Sequence, residues 1–455
     1  MDYTKQLADF CSEIDFGRLP AGVIQKARLC VLDFIANVYG SLELGAVKEV
    51  AELVRSLNAS GQAAVLGCGF KSDIHHAAFA NGTAAEAIEA QDGLRFGGNH
   101  PGTAVIPAAL AAGETLHCNG KELIEAIVAG YEAANRPAAA MHPSHTLSGF
   151  LPTGTCGAFG AAAAAARLKN FDPTRMRNAI GNAGYMLPIS MAEHLMGGYT
   201  VKIVQGGQAA LAGLMAADLA ERGVTGAPYV LEGSAFNGGF TQITTSDKPN
   251  LNLLTEGLGE RFSIMDVYFK PYTACRHTHG AAQAVLELKA DSEIAIPDID
   301  AILVSTYGIA ELAVGKGVDA SSSFVTAQFS IPYVTAICLL DGELGPLQLT
   351  EKRVSDADVL SLAEKVAVRT DPELNSVYPG KTSSRVEIQM KDGRTFSHQV
   401  DIPKGDPRDP MGDSDISQKV RAFARNRDVP HLEDLIDALL HLEEFDDVAL
   451  LAEMI

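Results

Sequence analysis

The chain has 455 residues, 47% of them apolar and 20% charged, a globular composition that excludes an intrinsically disordered chain. Its 36 basic residues face 56 acidic ones, a formal net charge of −20, which disfavours phosphate backbones and anionic membranes as partners. At about 150 residues per domain, roughly two to four domains are expected.

The N-terminus, MDYTKQLADF, has no basic region ahead of an apolar stretch, so no signal peptide is expected. The first 265 residues or so read as helix after helix. From Pro20 to Tyr39, Val23, Ala27, Val31, Phe34 and Val38 recur at helical spacing, and Gly40 is expected to stop that helix. Helices follow at 47–57, 72–91, 103–116, 120–139, 153–169, 173–184 and 206–220, with Asp172 and Pro173 as an N-cap and first-turn pair. Many are rich in Ala and Gly, so their axes can approach closely. The run around 154–166 is too short to span a bilayer.

Near Met265 the pattern changes. Ile302, Val304 and Thr306 alternate, as do Val366 and Val368. Val386, Ile388 and Met390 lead through Asp392-Gly393 to Phe396, His398 and Val400, a hairpin signature. Helical stretches at 278–289, 327–340 and 356–362 lie between. After Pro403 the chain turns helical and acidic again. The expected fold is mainly α with an α+β second domain. A discontinuous all-helical domain comprises residues 1–265 and 405–455, and an α+β lid comprises 266–404.

The seven cysteines are widely spaced with no CxxC, which suits free thiols in a reducing compartment and a soluble, cytoplasmic protein. No Rossmann GxGxxG, Walker loop, GxSxG or HExxH is present. Cys275-Arg276-His277-Thr278-His279 is too small a cluster for a zinc site, so neither metal nor cofactor is expected.

Polar groups gather beside glycines and prolines in five segments: 89–102, 142–157, 199–210, 270–280 and 327–333 with Leu339-Leu340-Asp341-Gly342. The runs KPYTACRHTH, PTGTCGAFGAAAAAARL and AQFSIPY…LLDG resemble the MmgE/PrpD family in order and spacing, over nearly the whole chain. That family includes 2-methylcitrate dehydratases and cis-aconitate decarboxylases. The resemblance implies a large helical domain with a smaller α+β lid, paired as a homodimer, acting on a small polycarboxylate.

Against the family pattern, His100, Lys202, His279 and Tyr333 are retained. Family members carry a histidine where this chain has Leu151 and another where it has Gln205. An acidic DFDDT-type run is replaced at Ala90–Leu94, leaving Asp92 as its only acid, followed by Arg95. The loss of these acid/base groups argues for a simpler proton transfer, as in the members that epimerise iminodisuccinate. The leading expectation is a cofactor-independent epimerase that inverts a Cα next to a carboxylate in an amino-polycarboxylate. The alternatives are a lyase of a 2-methylcitrate-like tricarboxylate and a non-catalytic anion-binding homologue.

Such an epimerase needs two proton-transfer groups and cationic stabilisation of an enolate-like intermediate, in a pocket that is electropositive despite the acidic whole. Lys202 is the first candidate base or carboxylate anchor, since burial and neighbouring cations lower a lysine pKa. His100, His279 and Tyr333 are further catalytic candidates, and His145 stands in for the histidine lost at Leu151. Arg95, Arg276, His277, Gln205 and Asp92 are candidates for substrate binding.

Overall fold

A computed structural model describes residues 2–455. The helical part is built from α1 (Ala21–Ser41), α2 (Ile74–Ala87), α3 (Gly102–Leu116), α4 (Gly120–Met141), α5 (Pro152–Leu168), α6 (Pro173–Met186) and α7 (Gln205–Glu221). Local chemistry sets the starts. Asp73 accepts from His75 and His76 at the head of α2, Asn119 and Glu122 form a capping box on α4, and Asp172 caps α6 ahead of Pro173.

Small residues let these helices touch. α5 lies at the centre against α3, α4, α6 and α7. A Cβ on Gly160 of α5 would lie 2.6 Å from the Gly130 carbonyl of α4, and one on Gly82 of α2 would lie 2.7 Å from the Gly207 Cα of α7. Gly40 does not end α1, which runs on to Ser41. Its missing side chain instead makes room for Ile88, Pro346 and Phe423. The helix expected from residue 72 begins at Ile74, because Ala63–Val65 (β1) and Phe70–Ser72 (β2) pair antiparallel before it.

Two further short strands matter for the site. Gly93–Leu94 (β3) pairs with Val267–Tyr268 (β4), which brings the chain after α2 beside the chain entering the α+β part. There, Ile299–Thr306 (β5), Val366–Thr370 (β6), Ser384–Met390 (β7) and Thr395–Val400 (β8) form one sheet in the order β6-β5-β7-β8. β5 and β6 are parallel, and the other pairs are antiparallel. The β7–β8 hairpin turns at Gly393, whose φ of +87° suits a residue without a Cβ. α8 (His279–Asp291) and α9 (Ile331–Asp341) pack on each other. The helix expected over 327–340 is broken, because Ser330 caps a fresh start at Ile331-Pro332.

Apolar burial falls into two main clusters. One gathers side chains from Leu7 to Phe269 and from Met411 to Leu451, with Phe324, Val325 and Leu349, and the other spans Ala274 to Val400. In α10 (Asp413–Ala424), packed on α1, Lys419 Nζ lies 2.6 Å from Asp33 Oδ1 and 2.6 Å from the Ala90 carbonyl. Among the described residues no single helix is long and apolar enough to cross a membrane.

Candidate active site

Glu86 lies at the end of α2. Three residues on, Glu89 adopts a left-handed backbone, φ +53°, that non-glycine residues rarely take. Opposite, the 3-10 turn Thr200–Val204 carries Lys202 and leads into Gln205 at the start of α7. Lys270 follows β4. These side chains meet in one buried cluster. Lys202 Nζ lies 2.8 Å from Glu86 Oε1 and also binds Glu89 Oε2. Lys270 Nζ lies 2.7 Å from Glu89 Oε1 and 3.0 Å from the Glu89 carbonyl. Gln205 Nε2 donates to Glu86 Oε1 at 2.6 Å, and Gln91 Nε2 donates to the same oxygen at 3.2 Å.

Two ammonium groups thus face two carboxylates, with no side chain of the four more than 3% exposed. The cluster is charge-balanced rather than electropositive, contrary to the sequence expectation. Burial opposes the charge on Glu89, but Lys202 and Lys270 override it and hold the carboxyl well below its ordinary range. Burial likewise favours a neutral Lys202, and Glu86 with Glu89 override it, holding the amine above its ordinary value. Lys202 is therefore a fixed ammonium. The base role expected of it is corrected, because its neighbours are carboxylates and not cations.

His100 keeps a free ring nitrogen. Its Nδ1 lies 2.7 Å from the Asp92 carbonyl, which can only accept, so Nδ1 carries the proton and Nε2 the lone pair. Nε2 is 3.9 Å from Glu89 Oε1. Burial, then the charge of Lys270, pulls the imidazole pKa down to about 4, and the ring remains 16% exposed. It is a neutral base with an opening beside it.

The other expected residues divide. Asp92 orients His100 through its backbone, while its carboxylate takes the Tyr131 hydroxyl at 2.7 Å and the Gly102 N–H at 3.1 Å. That carboxylate is not free for substrate. Gln205 is committed to Glu86, and its Oε1 takes the Ser190 hydroxyl at 3.3 Å. Arg276 is no free carboxylate clamp. Its guanidinium donates to the Pro403 carbonyl at 2.6 Å and the Lys404 carbonyl at 2.7 Å, over the Tyr268 ring. His279 is wholly buried, with Nε2 3.0 Å from the Ala274 carbonyl and Nδ1 3.4 Å from Arg276. Residues 276–278 form a 3-10 turn and His279 opens α8. His277 Nδ1 binds the Tyr307 hydroxyl at 2.6 Å.

Tyr333 lies in the second apolar cluster with its hydroxyl on the Gln348 carbonyl, which makes it a core tyrosine rather than a proton donor. His145 has both nitrogens engaged, by the Thr244 carbonyl at 3.1 Å and the Thr155 hydroxyl at 2.8 Å, and its ring packs on Phe150 and Phe240. It does not replace the histidine lost at Leu151. Arg95 lies on a separate cleft. Sequence reasoning missed Glu86, Glu89 and Lys270. The signal available was a pair of acids three apart at the end of an Ala-rich helix, and a lysine heading the KPY run. Among the described residues no group of three or more His, Cys, Asp or Glu is placed to hold a metal ion.

Comparison with known proteins places this geometry in context. Residues 5–252 match the MmgE/PrpD N-terminal domain, and residues 272–441 match the MmgE/PrpD C-terminal domain. The chain is 26% identical to cis-aconitate decarboxylase of Aspergillus terreus, covering 99% of this chain and 95% of that protein. It is 27% identical to a cis-aconitate decarboxylase-like protein of Aspergillus oryzae, covering 99% and 97%. It is 26% identical to the mouse cis-aconitate decarboxylase, covering 99% and 93%.

Proposed function

The chain belongs to the MmgE/PrpD family, and from that premise we propose that it is a cofactor-independent lyase acting on a small polycarboxylate. The observation that carries this reading is the pairing, in one buried cluster, of a neutral base, His100 Nε2, with a held ammonium acid, Lys202. The full-length similarity to proteins named cis-aconitate decarboxylases supports the substrate class.

The chemistry follows from these two groups. When a carboxylate leaves as CO2, its electron pair passes into a carbanion conjugated with a remaining carboxylate. The ammonium of Lys202 then returns a proton to carbon. In a dehydration, His100 removes the proton next to a carboxylate and an ammonium protonates the departing hydroxide. Lys202 and Lys270 stabilise the developing negative charge in either case, in a site that excludes water.

A second reading, the epimerase, is favoured by one observation. Gln205, where family members carry a histidine, is fixed on Glu86 and cannot move a proton. With Leu151 also inert, His100 and Lys202 are the two groups left to take a proton from a Cα and return one.

Proton NMR in D2O separates these readings, with cis-aconitate, 2-methylcitrate and iminodisuccinate offered to the protein and to His100→Gln. A decarboxylated or alkene product, lost in the variant, supports the lyase. Deuterium at Cα with inversion and no alkene moves the assignment to the epimerase. No change in any substrate removes catalysis from the proposal.

Two organisational proposals accompany this reading. Residues 266–404 act as a lid over a helical domain formed by 1–265 and 405–455, supported by the two apolar clusters. The chain pairs with a second copy through the segment between Tyr185 and Val201, supported by its exposed Tyr185, Ile189, Met191, Met196, Tyr199 and Val201.

A further inference from the structure

A cleft of about 580 Å³ opens beside the 94–96 loop, and none of Glu86, Glu89, His100, Lys202 or Lys270 lines it. Its walls come from four places in the sequence: the loop bearing Arg95, the α4 residues Asn135 and Arg136, the 253–266 segment, and the 406–408 segment that leaves the α+β part. Two donors on these walls have no partner. Asn135 is wholly buried. It turns its Oδ1 to Asn99 Nδ2 at 2.9 Å, which leaves its own Nδ2 unpaired and Asn99 Oδ1 likewise. Arg95 lies over the Phe96 ring with its buried Nη1 unpaired.

The other arginines around the cleft are accounted for. Arg136 is held by Glu132 and by the carbonyls of Leu253, Glu256 and Arg261. Arg408 is bound to both oxygens of Asp406, at 2.7 and 2.9 Å. Arg261, Glu256 and Asp266 sit exposed at the rim, where solvent screens them. Of the unpaired groups, the two that belong to residues lining the cleft are donors, a guanidinium N–H and an amide N–H, while the unpaired acceptor Asn99 Oδ1 belongs to a residue outside its lining. Buried donors left without acceptors are costly, and the ligand that relieves both is an acceptor carrying negative charge.

We infer that this cleft is a second anion site, distinct from the catalytic cluster, that takes a carboxylate or phosphate group of a small multivalent anion on Arg95 and Asn135. It goes beyond the proposed reaction and does not depend on which bond that reaction breaks. It also gives a strongly acidic molecule a place to hold an anion outside a charge-balanced catalytic centre.

Calorimetric titration with citrate, and separately with inorganic phosphate, tests it on the full chain and on Arg95→Gln, Asn135→Leu and Lys202→Met. Arg95→Gln is expected to weaken one class of binding about tenfold or more, and Lys202→Met to leave that class intact. Arg95 is only half-buried, so its variant keeps the test open if Asn135→Leu fails to fold. Binding of phosphate but not citrate assigns the site to phosphate groups, and the reverse assigns it to carboxylates. The inference is overturned if neither anion binds, if Arg95→Gln leaves the isotherm unchanged, or if Lys202→Met, with its fold verified by circular dichroism, abolishes all binding. Loss of turnover in the NMR experiment with Arg95-dependent binding preserved would remove the lyase reading alone.

Discussion

At Lys202 two carboxylates reverse what burial alone does to an amine, and they depend on it in turn. Lys202→Met leaves Glu86 and part of Glu89 uncompensated in the interior. Its expected cost is about 3–5 kcal/mol, read as a fall in the urea midpoint together with loss of turnover. A midpoint that stays put would mean that the cluster is not held by this pair. His100, His145 and His277 are each pulled down to about 4, chiefly by burial, and His279 also lies well below its ordinary value. An unfolded histidine titrates near ~6.5. Between those values the unfolded chain binds more protons, so stability is lost as the pH falls through that window. Asp92, pushed up to about 7 by burial, acts the other way, because there the folded state binds the extra proton. Asp33 and Glu125 are raised as well, and with His142 also lowered, five histidines outnumber three carboxylates. The urea midpoint should therefore drop on going from about pH 7 to about pH 5, and a rise would contradict the assignment of neutral buried imidazoles.

The crossing of α2 and α7 decides whether Glu86 and Lys202 can meet. A Cβ on Gly207 would lie 2.1 Å from the Phe79 carbonyl and 2.6 Å from the Thr83 hydroxyl, and a backbone carbonyl of α2 cannot move aside cheaply. Gly207→Ala should cost about 1–3 kcal/mol and separate the helices that carry the two charges. Thermal denaturation reads the first effect and kcat the second, and an unchanged pair of values would show that the crossing has slack. Much of this architecture is visible in the chain itself. The Asp172-Pro173 start and the Asp392-Gly393 hairpin are local devices, written within a few residues and found where the structure has them. Gly40 and the short β1–β2 pair are not, because their meaning lies in distant partners: Gly40 borders Pro346 and Phe423. The same holds at the site. His100 carries its own turn, whereas Glu89 looks like a helix-end acid until Lys270, 181 residues away, is beside it. Tyr333 and His279 match a family pattern in sequence, yet their polar atoms are spent on neighbouring carbonyls.

For the molecule as a whole, six exposed apolar side chains between Tyr185 and Val201 immediately precede Lys202 and Gln205, so the proposed pairing surface runs straight into the turn that carries Lys202. Light scattering should return twice the 48.0 kDa chain mass, and Tyr185→Glu combined with Met196→Glu should return a monomer. A wild-type monomer would dismiss the pairing. The contact of Lys419 with Asp33 and the Ala90 carbonyl has a temporal consequence. The Ala90 carbonyl, one residue past Glu89, is clasped by a residue from the last tenth of the chain, so a ribosome must make nearly the entire polypeptide before the floor beneath the carboxylate is laid. Nascent chains stopped short of α10 would emerge folded in their first helices and still lack a finished reaction chamber.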